Sequence, residues 1–380
     1  MQKVLFVLEN LGCGGAERVL PNLLKYIDRN KFSVAVLTLF DNGVNSGRIP
    51  DDVKVICRKA PYFRGITYIT RFLSPEFLYK YYILRAIPEK DFDVIIAYTH
   101  GLTTKIISGA LSKVKVAWIH GNILGVRKHT IPGNFTNRKR MLEVLSRINA
   151  FVGVSQCVCD SFIKFIGYEE KVHLIHNTND IEEIECKAEE DNPYVSKDRG
   201  VEIVTVGHLR KVKGNDLLLE AVAKLKDDGL RFHVTILGDG EEKGRLDAYV
   251  RDNGLSEIVS MPGFIENPYP YIKNADLYIC PSRSEGFSTA VSEALILGVP
   301  VVSTRVSGAE EMLGANDEYG IVCDCSAEGI YGALKRMLAT SELLEHYARQ
   351  ALNRREFFEP KRTVGDVERL IDEVVGKMQA

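Results

Sequence analysis

Short apolar runs separated by longer amphipathic stretches recur along the whole chain. In the first half they are Lys3 to Leu8, Val34 to Phe40, Val94 to Tyr98, Val114 to Ile119, Phe151 to Val154 and Val172 to Ile175. In the second half they fall at 201–206, 232–237, 276–280, 299–303 and 320–323. Between them apolar positions return at helical spacing, as at Val19, Leu20, Leu23, Leu24 and Ile27. This alternation predicts buried parallel strands joined by crossover helices, an α/β fold. Pro21 predicts a kink or a late start in the first helix. Residues 181–200 are acidic, contain Asn192-Pro193 and Gly200, and read as a linker between domains at 1–180 and 201–357. A helical tail from Glu342 to Lys377 is interrupted near Pro360, and its last part, 358–380, is expected to return to the N-terminal domain.

Three strand–loop–helix junctions carry the candidate chemistry. The first has Gly12, Gly14 and Gly15 directly after the opening strand. A dinucleotide fingerprint fails there, because Glu17 occupies the third glycine position, although Asp41 stands where a ribose-binding acid is placed. The loop is still built for close approach of a ligand. The second junction, Ser282 to Glu293, reads S-R-S-E-G-F-S-T-A-V-S-E and opens a helix near Ser288 and Thr289. A helix start presents unpaired N–H groups and a partial positive charge, which suits an anion. Glu285 and Glu293 bracket it too far apart to work as a hydrolytic acid/base pair. They suit opposite ends of one long ligand with hydroxyls at both ends and phosphate between. A third loop, His208 to Gly214, brings Arg210, Lys211 and Lys213 to the end of a parallel strand.

Charge divides the chain. Residues 1–180 hold 25 Lys plus Arg against 15 Asp plus Glu, and the remainder holds 24 against 36, so a net charge of −2 hides two opposite halves. Within 58–85, Arg58, Lys59, Arg64, Arg71, Lys80 and Arg85 face the single acid Glu76, with eight aromatic residues interleaved. That mixture suits a membrane surface bearing anionic lipid, and equally a solvated basic edge on core-facing helices. Arg127 and Lys128 belong to a second basic cluster in the same half. No nucleic-acid motif accompanies the charge. No window of 18 apolar residues and no signal segment is present, so a cytoplasmic protein is expected, peripheral to the membrane at most. The eight cysteines read as reduced structural thiols, and no metal site is expected.

Taken in order, C-G-G-A-E-R (13–18), W-I-H-G (118–121), V-S (154–155), H-N-T (176–178), V-G-H-L-R-K-V-K-G (206–214), L-G-D-G-E (237–241) and E-G-F-S-T-A-V-S-E (285–293) resemble glycosyltransferase family 4, in its bacterial polysaccharide-assembly branch. The resemblance spans essentially the whole chain. It implies the GT-B fold, two Rossmann-like domains facing each other across a central cleft, and retaining transfer from a nucleotide diphosphate sugar, UDP-linked by preference. The implied acceptor is a saccharide or polyprenyl-diphosphate-linked glycan. No metal or other cofactor is implied.

By that resemblance Glu285, Gly286 and Phe287 hold the donor sugar, and backbone donors near Ser288 and Thr289 meet the diphosphate. Lys213 pairs with the diphosphate in place of a metal, and Glu293 accepts from the ribose. Gly238, Gly240, Phe264 and Ile265 lie by the nucleoside, Gly14 and Gly15 let the N-terminal loop close, and His120 lies near the reacting sugar. His208 stands where relatives carry arginine, and a neutral imidazole is a weaker phosphate partner than a guanidinium. Arg210 is the candidate substitute. A sugar-nucleotide epimerase on the same fold and a non-catalytic sugar-nucleotide sensor are the alternative readings.

Overall fold

The computed structural model describes residues 1–12, 14–62, 66–111, 113–122, 135, 137–194 and 200–379. They form two compact units, Met1–Thr178 with Pro360–Ala380, and Asn179–Glu359.

The first unit is built on β1 (Gln2–Leu8), β2 (Phe32–Thr38), β3 (Lys54–Cys57), β4 (Val94–Ala97), β5 (Val114–Ile119), β6 (Ala150–Gly153) and β7 (Val172–Leu174). These strands are parallel, in the order β3-β2-β1-β4-β5-β6-β7. The second unit repeats the plan with β8 (Val201–Val206), β9 (Phe232–Leu237), β10 (Val259–Gly263), β11 (Leu277–Cys280), β12 (Val301–Thr304) and β13 (Ile321–Cys323). Their order is β10-β9-β8-β11-β12-β13, again parallel. Helices on both faces bury the central strands completely, so β4, β5, β9 and β11 have no exposed position. Continuous apolar runs, not alternating ones, are the sequence mark of such strands.

Each sheet reverses its strand order once, where β1 meets β4 and where β8 meets β11. Loops leaving the carboxyl ends of those two strands diverge to opposite faces and leave a crevice, the usual ligand position in open α/β sheets. Topology alone therefore selects the loops after β8 and β11, those containing Lys213 and Glu285.

The structure corrects the sequence reading in several places. The edge strands β3 and β10 were not anticipated. Both are short and carry mixed burial, because an edge strand packs against one neighbour only, and the buried apolar run fades. Within the expected linker 181–200 lies a helix, Ile181–Ala188. Its Asp180 cap accepts from the Glu183 N–H at 3.2 Å, Glu182 and Glu183 favour the positive end of its dipole, and Ile181, Ile184 and Ala188 bury one face. That face packs on the helices Tyr269–Lys273 and Thr289–Ile296, so acidity here marks a helix start of the second unit. The first helix, Gly15–Tyr26, runs on through Pro21, which is itself buried beside Leu20 and Leu24. Burial of that face outweighs the lost backbone bond. The C-terminal helix Pro360–Gln379 packs on Gly15–Tyr26, where Glu368 Oε1 accepts from the Asp28 N–H at 2.8 Å.

Candidate active site

In the second unit three consecutive strand ends interlock through their backbones. Gly238 has a φ of +139°, and a Cβ there would meet the Gly207 carbonyl oxygen at 1.9 Å. A Cβ on Gly240 would meet the Leu209 oxygen at 2.5 Å, and the Gly238 N–H donates to the Gly263 carbonyl at 2.8 Å. The loops after β8, β9 and β10 therefore form one floor, and glycine is required where they touch. The floor gathers His208, Arg210, Lys213, Gly238, Gly240, Phe264 and Ile265. Phe264 is 72% exposed, an aromatic ring left facing solvent at the end of a parallel strand. His208 and Arg210 are exposed as well, and Arg210 lies near enough to depress the neighbouring Lys213 electrostatically. A guanidinium therefore stands by the lysine where His208 gives only an imidazole.

Lys213 and Glu285 meet across the switch point. Lys213 Nζ donates to Glu285 Oε1 at 2.7 Å, and Ser282 Oγ donates to the same oxygen at 2.6 Å. Burial alone pulls the Lys213 ammonium down, and the Glu285 carboxylate more than offsets it, so the lysine is held above its ordinary value. Both donors meet the same carboxylate oxygen, Oε1.

Beside this pair the helix Thr289–Ile296 begins at Ser288, whose Oγ accepts from the Val291 N–H at 3.4 Å. The cap takes the Val291 N–H, and the N–H groups of Thr289 and Ala290 before it are the ones such a helix start offers to an anion. Gly308, at φ +78°, would push a Cβ against Phe287 at 2.8 Å, so it is a glycine that seats the Gly286–Phe287 segment. Glu293, 5% exposed, receives the Tyr269 hydroxyl at 3.4 Å. Ser292 Oγ donates to Asn179 Oδ1 at 2.9 Å, tying this helix to the chain just before Ile181–Ala188. Tyr269, Gly308 and Asn179 were not singled out in the sequence, since a contact between distant residues leaves no local pattern.

Gly14, Gly15 and His120 belong to the first unit. Gly14 precedes the helix Gly15–Tyr26, and a Cβ on it would strike the Glu17 carboxylate at 2.2 Å. Glu17, which broke the dinucleotide fingerprint, thus folds back over the helix start. His120 Nε2 lies 2.7 Å from the Tyr98 carbonyl oxygen. A carbonyl only accepts, so the proton sits on Nε2 and Nδ1 carries the lone pair. Burial first, and then His100, push the imidazole down to about 4. His120 is a neutral hydrogen-bond acceptor at physiological pH.

The basic segment divides. Tyr79 and Tyr82 are buried core residues. Tyr62 (70% exposed), Tyr68, Ile69, Phe72 and Phe77 face solvent around the helices Ile66–Thr70 and Pro75–Tyr79. Arg71 lies 5.5 Å over the Tyr68 ring, and Arg58 and Arg85 lie 5.1 and 5.0 Å from the Tyr81 ring. Glu76, the single acid, is paired with Arg147. Lys59 adopts a left-handed φ of +49°. Lys105, fully buried, donates to the Thr70 and Arg71 carbonyls at 2.8 and 3.1 Å and so anchors the segment. Arg64, Arg127 and Lys128 lie outside the described residues. Among the described residues no helix is long and apolar enough to cross a membrane.

Comparison with known proteins adds the following. The family model "Glycosyltransferase Family 4" matches residues 13–183, and "Glycosyl transferases group 1" matches 187–354. The N-acetylgalactosamine-N,N'-diacetylbacillosaminyl-diphospho-undecaprenol 4-alpha-N-acetylgalactosaminyltransferase of Campylobacter jejuni is 28% identical over 381 residues, covering 96% of this chain and 98% of its own. The lipopolysaccharide core biosynthesis glycosyltransferase LpsE of Rhizobium meliloti is 26% identical over 212 residues, covering 54% of this chain and 60% of its own. The crystal structure of Anabaena Alr3699/HepE in complex with UDP and glucose superposes with a TM-score of 0.78 at 19% identity, over 98% of this chain and all of that one.

Proposed function

This chain belongs to glycosyltransferase family 4, and from that premise we propose that it moves a hexose or N-acetylhexosamine from a UDP-sugar to a saccharide or lipid-linked saccharide in bacterial cell-surface polysaccharide synthesis. The observation that carries the reading is the Lys213–Glu285 contact at 2.7 Å beside the helix start at Ser288. One cation, one helix terminus and one carboxylate in one place suit the charge on a departing diphosphate and the hydroxyls of a sugar, which supports the reading.

In this scheme the diphosphate lies between Lys213 and the first-turn N–H groups after Ser288, Arg210 adds a second cation, and Glu293 accepts from the ribose. Phe264 and Ile265 border the base. Glu285 Oε2 and the backbone at Gly286 and Phe287 take sugar hydroxyls. The bond from the anomeric carbon to the phosphate oxygen breaks, and the acceptor oxygen bonds that carbon on the same face. The acceptor's proton passes to the departing phosphate oxygen. Lys213 and the helix start supply the charge stabilisation that a metal ion supplies elsewhere, so EDTA leaves turnover intact in this scheme.

Two findings favour a lipid-linked acceptor. The Campylobacter relative is named for a diphospho-undecaprenol substrate. The exposed ring of Tyr62, Tyr68, Phe72 and Phe77 among Arg58, Lys59 and Arg71 also fits contact with an anionic leaflet. Release of free nucleotide from UDP-, GDP- and ADP-sugars, measured with lipid-linked saccharide acceptors, tests the proposal. Acceptor-dependent release from a UDP-sugar is expected. Binding without release on any acceptor would leave the sensor reading instead.

A further inference from the structure

Lys213 and Glu285 sit on separate loops, and one arginine joins those loops. Arg283 stands two residues before Glu285, and its backbone N–H donates to the Val212 carbonyl at 2.7 Å. Its Nη1 donates to the Lys211 carbonyl at 2.8 Å. The same guanidinium grips Asp216 as a fork, with Nη1 to Oδ1 at 2.6 Å and Nη2 to Oδ2 at 3.0 Å. Lys211 and Val212 immediately precede Lys213, and Asp216 opens the helix Asn215–Asp227 just after it. The turn bearing Lys213 is therefore held on both sides by a residue of the Glu285 loop.

Asp216 is a suitable anchor. Its carboxylate lies in the first turn of a helix, where negative charge is favoured. It also pairs with Lys211, and with Arg245 at 3.4 Å. Burial raises its pKa, and Arg283 and Lys211 together outweigh that and hold it below the usual carboxylate range, so it stays ionised. Between the two loops the backbones touch: Gly214 has a φ of +69°, and a Cβ on it would lie 1.9 Å from the Pro281 carbonyl oxygen. Three of the five guanidinium N–H donors go to these protein acceptors, which ties the side chain to the turn that carries Lys213.

We propose that Arg283, anchored by Asp216, is a positioning residue that sets where Lys213 meets the donor diphosphate. The proposal rests on the donor-site reading above. A fork of two parallel bonds fixes direction as well as distance, which lysine at this position cannot reproduce.

The test is calorimetric binding of UDP, GDP and ADP, and of the matching nucleosides, to the full chain as wild type, Lys213→Ala, Arg283→Met, the double variant, Arg283→Lys and Asp216→Asn. Arg283→Met is expected to weaken diphosphate binding about tenfold and to leave nucleoside binding within about twofold. In the Lys213→Ala background the same change is expected to alter diphosphate binding by less than about twofold, because residues acting through one another are not additive. Arg283→Lys should recover only part of the loss, and Asp216→Asn should reproduce it. Equal losses in both backgrounds, or equal losses for nucleoside and diphosphate, would overturn the proposal in favour of direct phosphate contact or general damage. If Lys213→Ala binds diphosphates as the wild type does, the donor-site reading itself falls. If Lys213→Ala is impaired while Arg283→Met and Asp216→Asn are not, the positioning role alone falls.

Discussion

Replacing Glu285 by glutamine should move nucleotide binding and turnover in opposite directions. The substitution keeps the shape of the side chain and an oxygen to accept from Ser282, and it removes the charge that holds Lys213. At 2.7 Å two unit charges attract by about 6 kcal/mol at an effective dielectric of 20 and by about 1.5 kcal/mol in bulk water. Desolvation takes back most of the larger figure, and a partly buried pair of this kind keeps about 1 to 2 kcal/mol net. In the wild type an incoming diphosphate must compete with Glu285 for Lys213 and also approach a like charge. Both penalties vanish in Glu285→Gln, so UDP should bind about tenfold tighter, equivalent to about 1.4 kcal/mol. Sugar transfer should fall by about a hundredfold or more, because the neutral amide no longer accepts strongly from the sugar hydroxyls. Calorimetry with UDP and a nucleotide-release assay read the two effects separately. Unchanged or weaker UDP binding would refute Lys213 as the diphosphate partner, and wild-type turnover would refute Glu285 as the sugar's acceptor.

Further outcomes follow from the same geometry. With His120 neutral down to about 4, its folded value lies below the unfolded one, so its contribution to stability is fully present above about pH 6.5 and is lost as pH falls toward 4. The melting temperature of the wild type should decline across that window more steeply than that of His120→Gln, and equal slopes would contradict the assignment. Gly214→Ala should destabilise by about 3 kcal/mol, combining left-handed strain with the clash at Pro281, whereas Gly229→Ala, at φ +73° with open space around it, should lose only about 1 kcal/mol. Thermal or denaturant unfolding measures the difference, and similar losses would count against the backbone contact. Vesicles bearing anionic lipid should float the wild type and not a variant neutralised at Arg58, Lys59, Arg64 and Arg71. Phe72→Ser with Phe77→Ser should weaken flotation even at low salt, since ring burial does not depend on ionic strength. Equal flotation of all three would remove the membrane contact.

The primary structure by itself determined the fold class and most of the strands. An apolar run such as Val114–Ile119 has one stable use, a strand covered on both faces, and that requirement is written in consecutive residues. It also determined the helix start at Ser288, because a cap is a local demand. What only the tertiary structure decided is which distant groups touch. The Lys213–Glu285 contact joins residues 72 positions apart, and the Arg283 fork on Asp216 joins residues 67 apart. The acidic stretch at 181–200 read as a linker until the buried face of Ile181–Ala188 found partners, and Pro21 left open a late helix start until the helix was seen to begin at Gly15 and continue past it. Aromatics interleaved between 58 and 85 could not be sorted by order alone. Tyr79 and Tyr82 went to the core while Tyr62 and Phe72 stayed in solvent, because burial is set by which face the sheet covers, and that is a property of the assembled unit.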